Sequence, residues 1–448
     1  MHWYTAFTTG IGGILLVSMA FAMSGDLLWE DYFDRGSFDA VRDLVVAEGR
    51  VFAVGLTNAV GNSDMGIRAY EATDRTPLWE DHFDRAGGED EANAAAVSAG
   101  RVFVAGFTVN EAGDQDFSVL AYRANGDGTP LWEDHYNRAG GADIAYAVAA
   151  TGAQVFIIGI TTRDKNNPAD IDWRVQAYRA DGTPLWQKDY DRDGSADTAQ
   201  AVATDGRLVF VGGRTTRRTD TGVFFDFSVR AYRAHDGEFV WERHLHRGKS
   251  GGEVGAVVAK GGMVFVGGDT FAPEGDGEFS IYAFRATNGD ILWQNHFDRA
   301  GGRDFVSNIA VHGGRVFAAG ITCQTARCDN VPSDFDFSVR AYNAVRGTLL
   351  WEDHFDLAGH FDQALRVVVR GDRVFVVGHA DDTANNRNWI VRGYKAVEGE
   401  LLWQNQFDRA GRADEATAVA IFGNTVFVGG RTDSLLGNTD FSVQAYRR

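Results

Sequence analysis

The chain has 448 residues, 44% of them hydrophobic, with 54 Gly against 6 Pro and a formal net charge of −19. This composition supplies a large core and many tight turns. An acidic surface of this size repels phosphate backbones, so nucleic acid is excluded as a partner. The two cysteines, Cys323 and Cys328, fit neither a haem-attachment motif nor a zinc spacing.

The first segment, residues 1–22, differs from everything after it. Ile11 to Ala22 is mostly apolar, and Ala20-Phe21-Ala22 fits a small-residue cleavage site. The stretch is short for a membrane span, and only His2 and the amino terminus precede it as basic groups. Two readings stand. The segment is a signal peptide, giving a periplasmic or secreted protein, or translation starts at Met23 and the protein is cytoplasmic. Neither leaves a transmembrane span in the mature chain.

From residue 23 onward one phrase returns eight times. Its anchors are Trp29, Trp79, Trp132, Trp186, Trp241, Trp293, Trp351 and Trp403, spaced from 50 (29 to 79) to 58 (293 to 351) residues apart. Regular recurrence at this length marks a propeller or solenoid. One unit reads as four strands, here called a to d. Ala92–Ser98 is small and apolar, Arg101–Thr108 and Asp116–Ala124 alternate at period two, and Pro130–Asn137 follows a Gly-containing turn. The chain opens with a d strand, Leu27–Asp34, and stops on a c strand, Phe441–Tyr446. The N-terminal strand therefore completes the last unit. The expected fold is all-β: one domain over residues 23–448, an eight-bladed propeller of four-stranded antiparallel blades. Strand a, rich in Ala, crowds the axis. The aromatics Trp79, Phe83, Phe103, Phe117 and Tyr122 are expected to pack between blades.

Phrases such as Ala231–Trp241 (AYRAHDGEFVW) and Ala283–Trp293 (AFRATNGDILW) resemble the tryptophan-docking repeat of quinoprotein alcohol dehydrogenase-like propellers. The resemblance covers nearly all of residues 26–448. It implies the propeller fold and a family whose enzymes bind pyrroloquinoline quinone and calcium beside a disulfide of adjacent cysteines. Cys323 and Cys328 are not adjacent, and no calcium-ligating or basic carboxylate of those enzymes maps onto this sequence. The non-catalytic members, such as outer-membrane assembly scaffolds, are the closer functional model. The expectation is a monomeric binding or scaffold propeller of the cell envelope with a protein or glycan partner. The alternatives are a quinone- and calcium-dependent oxidoreductase, and a polysaccharide-active enzyme using channel carboxylates.

Four groups of residues are candidate sites. Asp39, Asp90, Asp143, Asp197, Asp304, Asp362 and Asp414 recur shortly before strand a, near one mouth of the channel. They read either as a cation-binding ring or as caps on a repeated turn, and their recurrence favours caps. Asp189, Asp191, Asp193 and Asp197 form a D-x-D-x-D-G phrase like a calcium loop, although Gln200 stands where such a loop wants Glu. Cys323 and Cys328 are expected to close a small loop by a disulfide if the protein is exported. The b-to-c connections Thr162–Ile171, Thr215–Phe225 and Cys323–Phe335 read as long loops on the face of the d-to-a turns. There Arg214, Arg217, Arg218, Phe224 and Phe225 suit recognition.

Two further features stand out. His82, His135, His296 and His354 share one position of the repeat and are expected at the exposed outer rim. The fifth unit diverges: Leu245-His246 replaces Phe-Asp, Val254 stands where Asp is expected, and Lys249 enters an acidic region.

Overall fold

The computed structural model describes residues 24–59, 61–167, 169–248, 251–273, 277–325, 328 and 335–448. The segment read as a signal peptide, and Lys249, lie outside the described residues.

Eight four-stranded antiparallel sheets make the molecule. Blades 1 to 7 are formed by residues 40–83, 91–136, 144–190, 198–245, 254–297, 305–355 and 362–407. Blade 8 takes strands a to c from residues 414–447 and its outermost strand from Leu27–Phe33. That strand runs antiparallel to Thr439–Arg447, with Leu27 opposite Tyr446 and Phe33 opposite Phe441. The ring is closed as the sequence pattern implies. No described helix is long and apolar enough to cross a membrane.

Blade 2 shows how sequence becomes blade. Its strands are Glu91–Ser98, Arg101–Val109, Gln115–Arg123 and Pro130–Tyr136. Strands b and c are covered on both faces by neighbouring blades, so their residues are buried almost without interruption. Strand d is an outer edge and only half-buried. The a–b turn is Ala99-Gly100, with φ of 51° and 69°. Two successive positive φ values give the hairpin turn whose twist matches the strands.

Blades dock through the tryptophan of strand d. The Trp132 indole N–H donates to the Ala180 carbonyl of blade 3 at 3.0 Å. Its ring lies on Gly182, where a Cβ would come within 2.7 Å of Trp132 Cγ. The bond recurs from Trp186 to Ala234, Trp241 to Ala286, Trp293 to Ala344 and Trp351 to Ala396. The expected aromatic packing is present. Trp79 stacks on Tyr122 of the next blade at 5.6 Å, Phe103 meets Trp132 at 6.1 Å, and Phe117 is buried.

One expected loop is not a loop. In blade 4, strands b and c run through Leu208–Thr219 and Gly222–Arg233 and stay paired out to Thr219 opposite Gly222. Thr215–Phe225 is thus a projecting hairpin. Its threonines and phenylalanines favour an extended chain, and Arg217 faces Phe224 across the ladder with its guanidinium 5.3 Å from the ring.

Candidate functional site at the mouth bearing the d–a turns

The chain passes a–b and c–d turns on one face, and b–c and d–a turns on the other. The recurrent aspartates sit on the second face, but they do not line the channel as bare charges. All seven are fully buried. Each holds two backbone N–H groups. Asp90 Oδ2 accepts from Arg85 at 3.0 Å in the d–a turn, and Oδ1 from Val109 at 2.6 Å at the end of strand b. The same bracket occurs at Asp39, Asp143, Asp197, Asp304, Asp362 and Asp414. These carboxylates are turn clamps: they satisfy buried donors that would otherwise have no partner. Burial raises their pKa against the pull of those donors, to about 6 at Asp90 and about 7 at Asp197, Asp304, Asp362 and Asp414.

A second repeated bond ties the turn to strand c. Arg35, Arg138 and Arg192 each reach Asp64, Asp172 and Asp226 respectively at 2.6 Å. Arg85, Arg247, Arg299 and Arg409 pair likewise with Asp116, Glu278, Asp336 and Asp440. Blade 7 lacks both partners at once, with Leu357 and Asn388 in their places.

The histidines are not rim groups. Ser118 Oγ lies 2.7 Å from Thr108 Oγ1 and 2.8 Å from His135 Nδ1. The same Thr–Ser–His chain occurs at His244, His296 and His354, and His82 bonds Thr57. Burial lowers all five imidazole pKa values, His296 to about 4, and so favours the neutral ring. The serines are fully buried, so no substrate reaches a hydroxyl, and the constellation is structural. Blade 3 replaces the pair together: Arg174 stands for Ser, Asp189 for His, joined at 2.8 Å.

That bond takes the first carboxylate of the calcium-like phrase. Asp191 pairs with Arg163, Asp193 accepts the Arg218 backbone N–H at 3.1 Å, and Asp197 is a clamp. The structure does not bring the four together. Among the described residues no three His, Cys, Asp or Glu side chains are placed to hold one metal ion.

Further departures from the repeat lie on this face in blades 4 to 8. At the seam of blades 4 and 5, Gly252, not Val254, occupies the clamp position, because Glu253 pairs with Asp269 as Glu91 pairs with Phe107. Gly252 has φ +101°, and a Cβ there would lie 2.1 Å from the Asp269 carbonyl oxygen. The lost carboxylate reappears on strand b. Asp269 Oδ1 accepts the Glu253 N–H at 2.7 Å, and Oδ2 meets Arg303 Nε at 3.1 Å. Burial raises the pKa of Asp269, with Arg303 opposing. Beside it opens a cavity of about 250 Å³ lined by Arg214, Phe225, Glu253, Asp269, Phe271 and Arg303.

Of the residues expected on the recognition face, Arg217 pairs with Asp226 at 3.0 Å and Arg218 donates to the Asp193 carbonyl at 3.1 Å. Arg214 lies 4.5 Å over the Phe225 ring. In blade 6 Cys323 and Cys328 are joined by a disulfide, packed with Phe335 and partly buried Phe361. Phe361 lies 5.4 Å from the buried ring of His379 in blade 7. His379 is 3.4 Å from Glu415. Burial works against ionisation of Glu415, but His379, Arg431 and Arg387 hold it at about 2.

A family model described as outer membrane protein assembly factor BamB matches residues 12–164 and 226–441. The chain belongs to this family, that of the PQQ-like propellers. The match leaves out residues 165–225, which include the blade 4 hairpin. No curated protein matches the sequence. Solved propellers share the fold. The Chaetomium thermophilum Sqt1 bound to the N-terminus of the ribosomal protein L10 has TM-score 0.58 at 13% identity, over 95% of this chain and all of that one. The quinohemoprotein alcohol dehydrogenase ADHIIG of Pseudomonas putida HK5 has TM-score 0.56 at 13% identity, over 94% of this chain and 76% of that one. A europium-containing methanol dehydrogenase gives 0.57 at 12%, over 94% and 93%.

The described residues of this PQQ-like propeller do not fit a quinone held with a metal ion. The recurrent carboxylates point at backbone N–H groups, and the disulfide lies in a b–c loop with its cysteines five positions apart.

Proposed function

We propose that this chain is a non-catalytic scaffold of the cell envelope, periplasmic or secreted, whose partner is a protein docking on the face of the b–c and d–a turns. The observation that carries the reading is the gathering of non-repeated features there in blades 4 to 8. They are the extended hairpin, the Gly252–Asp269 exchange with its cavity, the Cys323–Cys328 disulfide and the His379–Glu415 cluster. Variable elements on a rigid repeated frame are where recognition resides. The same face carries exposed apolar side chains, Val223 at the hairpin tip and Leu435 and Leu436 in blade 8, which suits a protein interface. Family membership supports the assignment, as does the neighbour solved with a ribosomal-protein segment bound.

The test is site-specific photo-crosslinking in the producing cell. A photoreactive residue at Val223 is expected to give a discrete protein adduct. One at Val345 or Val397, exposed on the opposite face, is expected to give none. Adducts from the opposite face alone, or from neither, overturn the proposal.

A further inference from the structure

Two blades place an arginine at the same point of strand b, and only one supplies it with an acid. In blade 8 Arg431 faces Glu415 across the a–b ladder. Its Nε and a terminal nitrogen both lie 3.1 Å from the same carboxylate oxygen. In blade 4 the equivalent residue is Arg214, and its cross-strand neighbour is Thr198. The threonine is too short and carries no charge. Arg214 makes no ion pair with any described residue, and its Nε is buried without a hydrogen-bond partner. The guanidinium rests over the Phe225 ring at 4.5 Å, and a carboxylate oxygen at its terminal nitrogens would add the charge-assisted bond that blade 8 has and blade 4 lacks.

The arginine borders the cavity at the seam of blades 4 and 5. The other charges around that cavity are already engaged. Asp269 is bonded to Arg303, and Glu253 accepts from the Gln200 side chain. Phe225 and Phe271 give the remaining wall an apolar surface. The Gly251–Gly252 backbone passes so close to Phe225 and Asp269 that no side chain could be added there without filling the space. At about 250 Å³ the cavity suits a group the size of one amino-acid residue, smaller than the usual drug-sized pocket.

We infer that this cavity binds a carboxylate carrying an apolar group, which pairs with Arg214 as Glu415 pairs with Arg431 and lays its apolar part against Phe225 and Phe271. The carboxylate comes from a peptide C-terminus or from a small organic acid. The site rests on the scaffold reading only for the origin of its ligand, since the pairing itself is independent of any protein partner.

Calorimetry with N-acetyl-phenylalanine and its amide tests the site on the purified chain. The acid is expected to bind in the millimolar range or tighter, and the amide about tenfold or more weakly, the worth of one charge-assisted hydrogen bond. Arg214→Gln should abolish the preference for the acid. Thr198→Glu restores internally the carboxylate that blade 8 possesses. It should block binding while raising the thermal midpoint, which separates occupation of the site from misfolding. Equal binding of acid and amide, unchanged binding by Arg214→Gln, or no binding of the acid at millimolar concentration overturns the inference.

A tripeptide ending in phenylalanine, compared with phenylacetate, then tells which source fits: tighter binding of the peptide points to a chain terminus, tighter binding of phenylacetate to a small acid. Carboxylate binding without crosslinks at Val223 would leave this site standing and remove the scaffold reading. Crosslinks without carboxylate binding would do the reverse.

Discussion

Blades 1 to 3 and blades 4 to 7 share one strand plan and part company on one face. In the first group every seam carries its buried aspartate and its Arg–Asp pair. In the second group the clamp is lost at Gly252, the Arg–Asp pair at Leu357 and Asn388, and the b–c hairpin of blade 4 runs further out than that of blade 1. Some changes come matched. Arg174 and Asp189 replace Ser and His together, and Asp269 supplies the acceptor that Gly252 lacks. A matched change preserves packing. Arg214 opposite Thr198 is unmatched, and an unmatched change leaves chemistry for something outside the molecule.

Substitutions in the seams test this difference between the two groups of blades. Trp132→Ala removes the ring that locks blade 2 to blade 3 and should cost about 4 kcal/mol, read from the urea midpoint. A cost under about 1 kcal/mol would mean the seam does not depend on that ring. Asp90→Ala orphans two buried N–H groups and should cost about 3 kcal/mol. Gly252→Asp writes the majority residue into the divergent seam, yet it too should destabilise, by about 2 kcal/mol, because the backbone there has positive φ and no room for Cβ. A stabilised Gly252→Asp chain would show that blade 5 is merely a damaged copy of the others.

The pH profile sharpens the same contrast. The clamps Asp197, Asp304, Asp362 and Asp414 sit at about 7 against 3.8 for a free carboxyl. Their contribution is complete below 3.8 and is lost as the pH rises through 7. The buried histidines act oppositely. His296, at about 4 against 6.5, contributes fully above 6.5 and loses its contribution as the pH falls through 4. Between pH 8 and 7 the clamps outweigh the histidines, so the thermal midpoint should rise as pH falls, and rise less in Asp197→Asn. A flat profile in both chains would refute the assignment. The smallest expected effect is none at all: pyrroloquinoline quinone with calcium should leave the midpoint unmoved, whereas a ligand of the folded state would raise it.

The fold was legible because it is written eight times. The tryptophan spacing and the unpaired strands at the two ends fix blade number and closure without any contact being known. The recurrent aspartates were legible as positions and, because they return with the turn, as caps on it. Periodicity does not tell which second N–H each one holds, such as that of Val109. The histidines were misplaced because strand d is an edge, and an edge residue reads as exposed. The corrective signal was present, since Thr108, Ser118 and His135 recur together, as do their counterparts in other blades. Counting five residues on from Arg247, as from Arg85 to Asp90, would have found Gly252 rather than Val254. The hairpin was missed because a polar, threonine-rich stretch reads as loop until its two halves are paired. The unmatched arginine was hidden for a different reason: Thr198 and Arg214 are neighbours only once the ladder is known.

The ring's closing strand has a consequence for how the protein is made. Gln444 bonds Tyr32 across 412 residues of sequence, so blade 8 cannot exist before residue 444 has been made. Until then Leu27–Phe33 waits as an orphan, an open edge able to pair with the wrong chain. Loss of Thr439–Arg447 therefore does more than remove one strand. It strands Leu27–Phe33 without its partner and leaves the wheel with a gap in blade 8.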